Sequence, residues 1–573
     1  MSSPNPDPQV PSPPGEMFAP ERIDISHRAA WTMVLVFLLL LGVPPLVQDI
    51  RELRKGPQGW LPARELGRAL TGTAGPDQPI EQRLRSFDAG VARLEFTTRP
   101  RQWAQQIVTE LLRRGNDRTF PGQDGWWFYR PELQALTGYG PVKPEPHSVS
   151  RDPGLLDWEA PLAPIRAFAA DLRDRGVALW LVPVPMKPSI YPEKLTGNPT
   201  DGPLRHPDTV PFFEALAGTG LRVIDLAPEL WKLKTADATE GPVYLPDDTH
   251  WAPRGMAHAA AVLGRLVQEE AWFATLPPQP YPGVAAAVES VRGYGDLVEK
   301  LGAHTPGRLF QPYQVMLQRW LAPGPPQSPP PDRNSPVVLL GDSFVNIFDD
   351  PTLGFAAPGL AEGQRSGAGL AQQLAQRLGR PLDVQAVNGD GASGVRRWLA
   401  NRGETVVRSK KLVIWVIAER DLILSRSLAK SNAVHWKHTP IAPDPAPGTD
   451  APVISADGAV VVEARLLEKA RQANPASANY PNSLYTARYE ILKTLSGPAA
   501  PATVEVVHWN FRRRTLEPTA QLSPGKTYRL ELKSWAAQTD LQSINLEILG
   551  DEDPQWFSSQ ATELPAAGSP AGP

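Results

Sequence analysis

The chain has 573 residues, enough for three or four folding units at about 100–200 residues each. Its 58 Lys+Arg nearly balance 61 Asp+Glu, a formal net charge of −3, so the polycationic surface of a nucleic-acid binder is absent and no nucleic-acid partner is expected. The absence of cysteine excludes thiol nucleophiles, Cys-ligated zinc, iron–sulfur clusters and disulfides.

Proline, at 65 residues, is about twice as frequent as usual and is concentrated in tracts that mark linkers. Residues 1–28 begin with such a tract and read as a disordered tail. From Ala29 to Val47 the chain carries no charge, and Thr32 is its one polar residue. Nineteen residues suffice for a spanning helix, with Trp31 at an interfacial position and Pro44-Pro45 ending regular helix. No small-x-small cleavage site follows and a polar stretch precedes, so 29–47 is expected to be an uncleaved anchor rather than a signal peptide. Arg22 and Arg28 precede the span; Arg51, Arg54, Lys55, Arg64 and Arg68 follow it. Charge alone puts the large domain in the cytoplasm, although long domains often translocate regardless of flanking charge.

Residues 50–115 show helical amphipathicity and read as a stalk. An aromatic strand is expected at Trp126–Tyr129. From about 155 to 425, short apolar strands alternate with amphipathic helices. The strands are Val177–Val184, Leu221–Leu226, Val337–Leu340, a short one at Val384, and Leu412–Ala418. This alternation predicts a parallel α/β sheet covered on both faces, within a domain spanning 116–430. The stretch 270–335 interrupts it and reads as an insertion with a linker. After the Pro-rich break at 440–452 the pattern becomes strand-like, predicting an all-β accessory module over 450–560, followed by a tail at 565–573. Within the module, Val507 to Arg514 suggests either an exposed basic-aromatic stripe on an independent unit or aromatics turned into a β core. If the unit is independent, deleting 450–573 leaves small-ester turnover intact.

Two motifs carry chemistry. Gly341-Asp342-Ser343 follows a buried strand, where sites of parallel sheets are built; there Ser343 can present its hydroxyl while its N–H faces a developing oxyanion. A turn or helix cap is the plainer alternative. Asp248-Thr249-His250 places a carboxylate and an imidazole on one side of an extended segment, so that Asp248 orients Nδ1 and Nε2 stays free to take a hydroxyl proton. Pro253 fits the first turn of the helix that comes after it. Alone, this motif also reads as a capping Asp beside an incidental His, although His numbers only nine. No other His or carboxylate shows ligand spacing to His250, so neither a metal nor another cofactor is expected.

The order Asp-x-His, then Gly-Asp-Ser, resembles the SGNH-hydrolase-like O-acetyltransferases of bacterial exopolysaccharide systems, the alginate O-acetyltransferase AlgX/AlgJ type. In ordinary SGNH esterases the serine block comes first. Further resemblances over about 115–425 are Asp124 to Tyr129, Leu181 to Lys187, Gly295-Asp296-Leu297, and Val413 to Leu422. The resemblance implies a three-layer, flavodoxin-like parallel sheet, with Ser343 as nucleophile, His250 as base and Asp248 as its orienter. It places Asn388 as an oxyanion donor, while Asn-Gly is also simply a turn. Arg420 is a candidate contact for an anionic sugar or a partner of Asp421 or Glu419; Trp251 is a candidate wall or stacking platform, although large aromatics beside a catalytic loop more often serve packing. The implied function is acetyl transfer to hydroxyls of an exported polysaccharide through acetyl-Ser343. The domain is then periplasmic, held to the inner membrane by the N-terminal helix, with acetyl supplied by an integral membrane O-acyltransferase partner. An SGNH-type esterase or deacetylase with the same triad, and a non-catalytic polysaccharide-binding scaffold, are the competing readings.

Overall fold

The computed structural model describes residues 95–142, 160–323, 328–360, 364–424, 434, 436–444, 459–475, 478, 480–538, 540–549 and 554–564. Before 95 it describes residues 26, 28, 31–36, 43, 50, 66, 67, 70, 71, 80 and 84. Most of the 29–47 segment, the stalk and both tails therefore lie outside the described residues. Among the described residues no helix is long and apolar enough to cross a membrane. The chain divides at Arg101/Gln102 into two units, and the second holds every strand of the described residues.

Helix α1 (Glu95–Leu112) leads into that unit. Strands β1 (Thr119–Pro121) and β2 (Trp127–Tyr129) form an antiparallel ribbon whose turn uses left-handed Asp124 (φ 52°) and Gly125 (φ 77°), and helix α2 (Arg130–Thr137) comes after it. Next come α3 (Leu162–Arg173), β3 (Ala178–Val184), α4 (Thr209–Ala217), β4 (Arg222–Val223) and α5 (Pro253–Gln268). Residues 270–335 hold a hairpin of β5 (Glu289–Gly293) and β6 (Tyr313–Leu317), with α6 (Asp296–Leu301) between its strands. Then come β7 (Val337–Gly341), α7 (Ser343–Asn346), α8 (Leu370–Leu378), β8 (Asp383–Ala386), α9 (Gly394–Ala400), β9 (Leu412–Ala418) and α10 (Glu419–Ile423).

Five strands pair in the order β8-β7-β9-β3-β4, every pair parallel. Counted cyclically from β7, this is 2-1-3-4-5, the flavodoxin-like doubly wound order, begun in mid-sheet. Alternation along the strands feeds two cores. Leu412, Ile414 and Val416 join Met256, Ala260 and Leu263 of α5 and Leu370 and Leu374 of α8. Val413, Trp415 and Ile417 join Phe168 of α3, Phe212 of α4 and Leu399 of α9. With both faces covered, every residue of β7 and β9 is buried, hence the unbroken apolar runs. The expected strand at Leu221–Leu226 is shorter: Arg222–Val223 pair with β3, and Ile224 N–H still donates to Leu181 O at 2.8 Å. Asp225 then accepts from Ala227 N–H at 3.0 Å and turns the chain into the helix Ala227–Lys234.

The C-terminal module comprises β10 (Val460–Lys469), β11 (Ser483–Ser496), β12 (Thr503–Arg512), β13 (Thr515–Leu516), β14 (Thr527–Ser534), β15 (Asn545–Glu547), β16 (Trp556–Phe557) and β17 (Ala561–Glu563). The pairings β10–β11, β11–β12, β12–β16, β16–β14 and β14–β10 close a ring, so the sheet is a small barrel filled by Val462, Leu466, Tyr489, Val506 and Leu530. Of the two readings of 507–514, the structure shows the one with the aromatics turned inward rather than an exposed stripe. Trp509 and Phe511 are buried under an outer apolar cover, and His508 lies inside the barrel. His508 bonds Tyr489 Oη (2.9 Å) and Ser558 O (2.8 Å), and burial pushes its imidazole down to about 4. Both faces of β12 are covered, so period-2 alternation exposes neither. The module closes on its own core and also packs on the α/β domain, where Tyr480, Pro481 and Arg514 line the cleft that Ser343 faces.

Candidate active site

Ser343 opens α7 directly after β7, at the carboxyl end of the sheet. Its neighbour Asp342 caps that one-turn helix, accepting from Phe344 N–H at 2.8 Å, and its second oxygen accepts from Ala418 N–H at 3.2 Å. This carboxylate therefore ties the ends of β7 and β9, the two strands flanking the topological switch point where open α/β sheets bind ligands. Ser343 is only half-buried and faces a cleft of about 620 Å³.

The histidine arrives from the turn between β4 and α5, with Pro253 at the helix's first position as the sequence predicts. His250 Nε2 lies 2.8 Å from Ser343 Oγ, and Nδ1 lies 2.6 Å from Asp248 Oδ1. These partners assign the tautomer: Nδ1–H donates to Asp248, and Nε2 accepts from the serine hydroxyl. Asp248 Oδ1 also accepts from His250 N–H at 2.8 Å, so the i,i+2 spacing fixes both backbone and ring. The backbone N–H of Ser343 has no partner among the described residues and is available to an oxyanion.

Two elements hold the turn. Lys187, fully buried at the end of β3, donates to the carbonyls of Leu245 and Pro246 at 3.1 Å each and of Asp248 at 2.5 Å. Burial pushes its ammonium down to about 8, against the opposing pull of Glu132, Asp248, Asp296 and Asp247. From the other side α6 presents Asp296. Its N–H donates to Asp248 Oδ2 at 2.7 Å, and its carboxylate accepts from Thr249 N–H at 2.8 Å, Thr249 Oγ1 at 2.7 Å and Lys300 Nζ at 2.6 Å. Burial opposes ionisation of Asp296, but Lys300, His250 and the hydrogen bonds outweigh it and hold the carboxyl below the usual range. Asp248, His250 and Asp296 offer donor atoms within 4.8 Å of one another, the spacing of a cation site. The protein's own groups engage each of them, and a cation would have to displace Lys300.

The approach of α6 requires a glycine. A Cβ on Gly295 would stand 2.1 Å from Asp247 O. Gly295→Ala is expected to push the Asp247–His250 turn away from Ser343 and lower kcat by roughly 100-fold, the scale of a 1 Å misplacement. Steady-state turnover of an acetyl ester checks this, with far-UV circular dichroism as the control for folding.

The structure brings Ser343, His250 and Asp248 together. It places Asn388 and Arg420 on the same cleft and keeps Trp251 out of it. Asn388 donates from Nδ2 to Asp350 at 2.9 Å and accepts at Oδ1 from Asn346 of α7, leaving one amide hydrogen uncommitted. Arg420 takes the ion-pair alternative, with Glu132 (3.3 Å) and Asp421 (3.7 Å) rather than Glu419, and lies over the Tyr129 and Phe344 rings. Burial pushes Glu132 up to about 7, with Arg420 pulling the other way. Trp251 is fully buried, so it is no sugar platform. Its indole donates to Phe344 O at 3.1 Å, pinning the histidine turn to the serine helix. Sequence reasoning missed Lys187, although the residue was visible in a motif, and quoted Asp296 without a role. It also missed that Tyr480 and Arg514 of the barrel line the cleft. Arg513 and Arg514 form a turn with positive φ (46° and 61°), and Arg514 pairs with Glu299 of α6.

Residues 120–419, slightly more than half of the chain, match the family described as SGNH hydrolase-like domain, acetyltransferase AlgX. A probable alginate O-acetylase AlgJ of Pseudomonas syringae pv. tomato is 34% identical over 196 residues, 34% of this chain and 44% of that protein. This chain thus spans less than half of that relative's length. The protein of the same name from Pseudomonas aeruginosa is 25% identical over 331 residues, 58% of this chain and 77% of that one. Among solved structures, the O-acetyltransferase domain of Pseudomonas putida AlgJ has 24% identity and a TM-score of 0.38, covering 53% of this chain and 91% of that one. Pseudomonas aeruginosa AlgX has 14% identity and a TM-score of 0.38, covering 68% and 86%. With its family match extending over the domain that holds Ser343, His250 and Asp248, the chain belongs to the SGNH hydrolase-like acetyltransferase family of AlgX.

Proposed function

We propose that this protein moves acetyl groups onto hydroxyls of an exported polysaccharide through an acetyl-Ser343 intermediate. The observation that carries the reading is the hydrogen-bonded line Asp248–His250–Ser343 opening on a cleft. In the first half-reaction His250 Nε2 takes the Ser343 proton as Oγ bonds to the acetyl carbonyl carbon, and negative charge moves to the carbonyl oxygen. Ser343 N–H and the uncommitted hydrogen of Asn388 are the donors for that oxygen. Collapse breaks the bond to the donor's leaving oxygen, which receives the proton from His250. In the second half a sugar hydroxyl gives its proton to His250 and attacks acetyl-Ser343. The acetyl ester passes to the sugar, and the proton returns to Oγ. Asp248 keeps Nδ1 protonated and stabilises the imidazolium in both halves.

This reading places residues 50–573 outside the cytoplasm behind an uncleaved 29–47 anchor, with acetyl supplied by an integral membrane O-acyltransferase. Alkaline phosphatase fused after residue 573 is then expected to be active; an inactive fusion beside an active cytoplasmic reporter refutes the topology. For the chemistry, purified protein with a chromogenic acetyl ester is expected to accumulate acetyl-Ser343 by mass spectrometry and to pass the acetyl group to added oligosaccharide. Acetate release indifferent to the oligosaccharide identifies water as acceptor, hence an esterase. Absence of both adduct and turnover leaves a binding scaffold.

A further inference from the structure

The barrel meets the α/β domain at the loop that leaves β8 and carries Asn388. Asn388 N–H donates to Ser543 O at 3.2 Å. The hydroxyl of the same Ser543 accepts from Arg365 Nη2, and Arg365 Nη1 lies 3.0 Å from Asp350 Oδ2. That carboxylate oxygen accepts from Asn388 Nδ2 at 2.9 Å. Asn388, Asp350, Arg365 and Ser543 thus form a closed ring, which grips Asn388 by its backbone and its side chain together. Burial opposes ionisation of Asp350, but Arg365 and the hydrogen bonds from Thr352 and Asn388 hold its carboxyl below the usual range, so the ring has a charged acceptor.

A second barrel residue presses on the same loop. Gly389 is left-handed (φ 83°), and a Cβ there would stand 2.4 Å from Cδ1 of Tyr480, so the tyrosine ring lies directly on the backbone next to Asn388. Tyr480 is itself held, stacked on Phe511 (6.2 Å between centroids, 6° between planes) and donating to Glu547 at 3.2 Å. Within β8, two residues before the loop's start, Gln385 donates to Gln542 O at 2.7 Å.

We infer that the C-terminal barrel is a working part of the acyl-transfer site, with Ser543 and Tyr480 as positioning residues that hold Asn388 against the oxyanion. This rests on the proposed role of Asn388 as an oxyanion donor. Such donors act by being fixed before charge develops, and their effect falls steeply with displacement of the order of 1 Å. A loop gripped from a second domain meets that requirement. The barrel's contribution is therefore to the rate of the acyl-transfer step, including for a substrate too small to touch it.

The test uses the full chain and p-nitrophenyl acetate. Tyr480→Ala and Ser543→Ala are each expected to lower kcat roughly 10-fold with little change in KM. Tyr480→Phe, which keeps the ring on Gly389, and Ser543→Thr, which keeps the hydroxyl, are expected to recover most of that loss. Tyr480→Ala/Asn388→Ala is expected to be no slower than Asn388→Ala alone, since Tyr480 acts through Asn388. Unchanged kcat in Tyr480→Ala and Ser543→Ala, with Asn388→Ala impaired, overturns the inference and leaves the proposed chemistry standing. So do losses that add in the double variant, or a loss of thermal stability without a loss of kcat. If Ser343→Ala abolishes turnover but Asn388→Ala does not, the oxyanion assignment falls and takes the inference with it. Should Tyr480→Ala fail to fold, Ser543→Ala and its Thr rescue decide the matter alone. Turnover that survives in Ser343→Ala overturns the acetyl-serine reading itself.

Discussion

Ser343→Ala is expected to lose at least about a thousandfold in turnover of a small acetyl ester, and His250→Ala a similar amount. The hydroxyl proton has one acceptor in line, Nε2 at 2.8 Å, and without it Oγ must attack as a neutral alcohol. Because both residues serve the same proton transfer, Ser343→Ala/His250→Ala is expected to cost little more than either change alone. Additive losses mean that they do not share a step. Asp248→Asn tests the orienter: an amide at this position can face Nδ1 with N–H, which favours the tautomer whose Nε2 is protonated and unable to accept. Ser343→Ala and Asp248→Asn change little packing volume, so their circular dichroism and solubility are expected to match the parent; His250→Ala empties the space of a buried ring beside Phe344 and is read against those two. Unfolding in the single variants supports the capping role that Gly-Asp-Ser and Asp-x-His also suggest.

Lys187→Met carries the second large effect, on stability. The methionine fills the buried space but leaves the carbonyls of Leu245 and Asp248 without their donor, while Pro246 O keeps Trp127 N–H at 2.9 Å. Lost hydrogen bonds to a charged group and newly unsatisfied acceptors together cost about 3 kcal/mol or more. The 245–250 turn is expected to loosen first, read as faster amide exchange there before global unfolding. The pH dependence has a definite sign. Burial sets the folded ammonium at about 8 against 10.5 when free. Between those values the unfolded chain binds the proton that the folded chain has released, so this group's contribution to stability rises with pH. Below about pH 8 the charge-burial penalty is present in full. The stability gap between parent and Lys187→Met is therefore expected to widen from pH 8 to 10; a constant gap overturns the assignment.

What the sequence disclosed and what it withheld divide along the range of the interactions. Leu412–Ala418 reads as a strand and is one, to the residue, because a strand covered on both faces needs no partner to declare itself. Ser343 and His250 are legible because each stands beside its own local signal, a strand end and an i,i+2 carboxylate. Lys187 gives no such signal: its acceptors are carbonyls nearly sixty residues away, and any sequence supplies carbonyls. Asp296 sits in a stretch that reads as an insertion, yet its α6 reaches the back of Asp248. At 507–514 the sequence leaves two readings open because the outer face of β12 is covered by Tyr480, Leu541 and Phe557, all distant in sequence. Trp251 takes the packing role, since proximity to a catalytic residue says nothing about which way a ring turns.

Synthesis of the chain delivers the strands of the parallel sheet in an order that leaves its centre for last. β9 alone joins β3 to β7, pairing Ala178 with Leu412 on one side and Val337 with Leu412 on the other. Until residues 412–418 leave the ribosome, β3–β4 and β7–β8 are two separate ribbons, with the histidine turn coming after one and the serine at the end of the other. Neither ribbon has both edges satisfied, and the long closure that unites them is slow. A nascent chain so built remains without its sheet for most of its synthesis, the state that the proposed export across a membrane requires. Two fragments divided between α5 and β7 would each carry half of the nucleophile–base pair, and β9 belongs to the fragment with the serine.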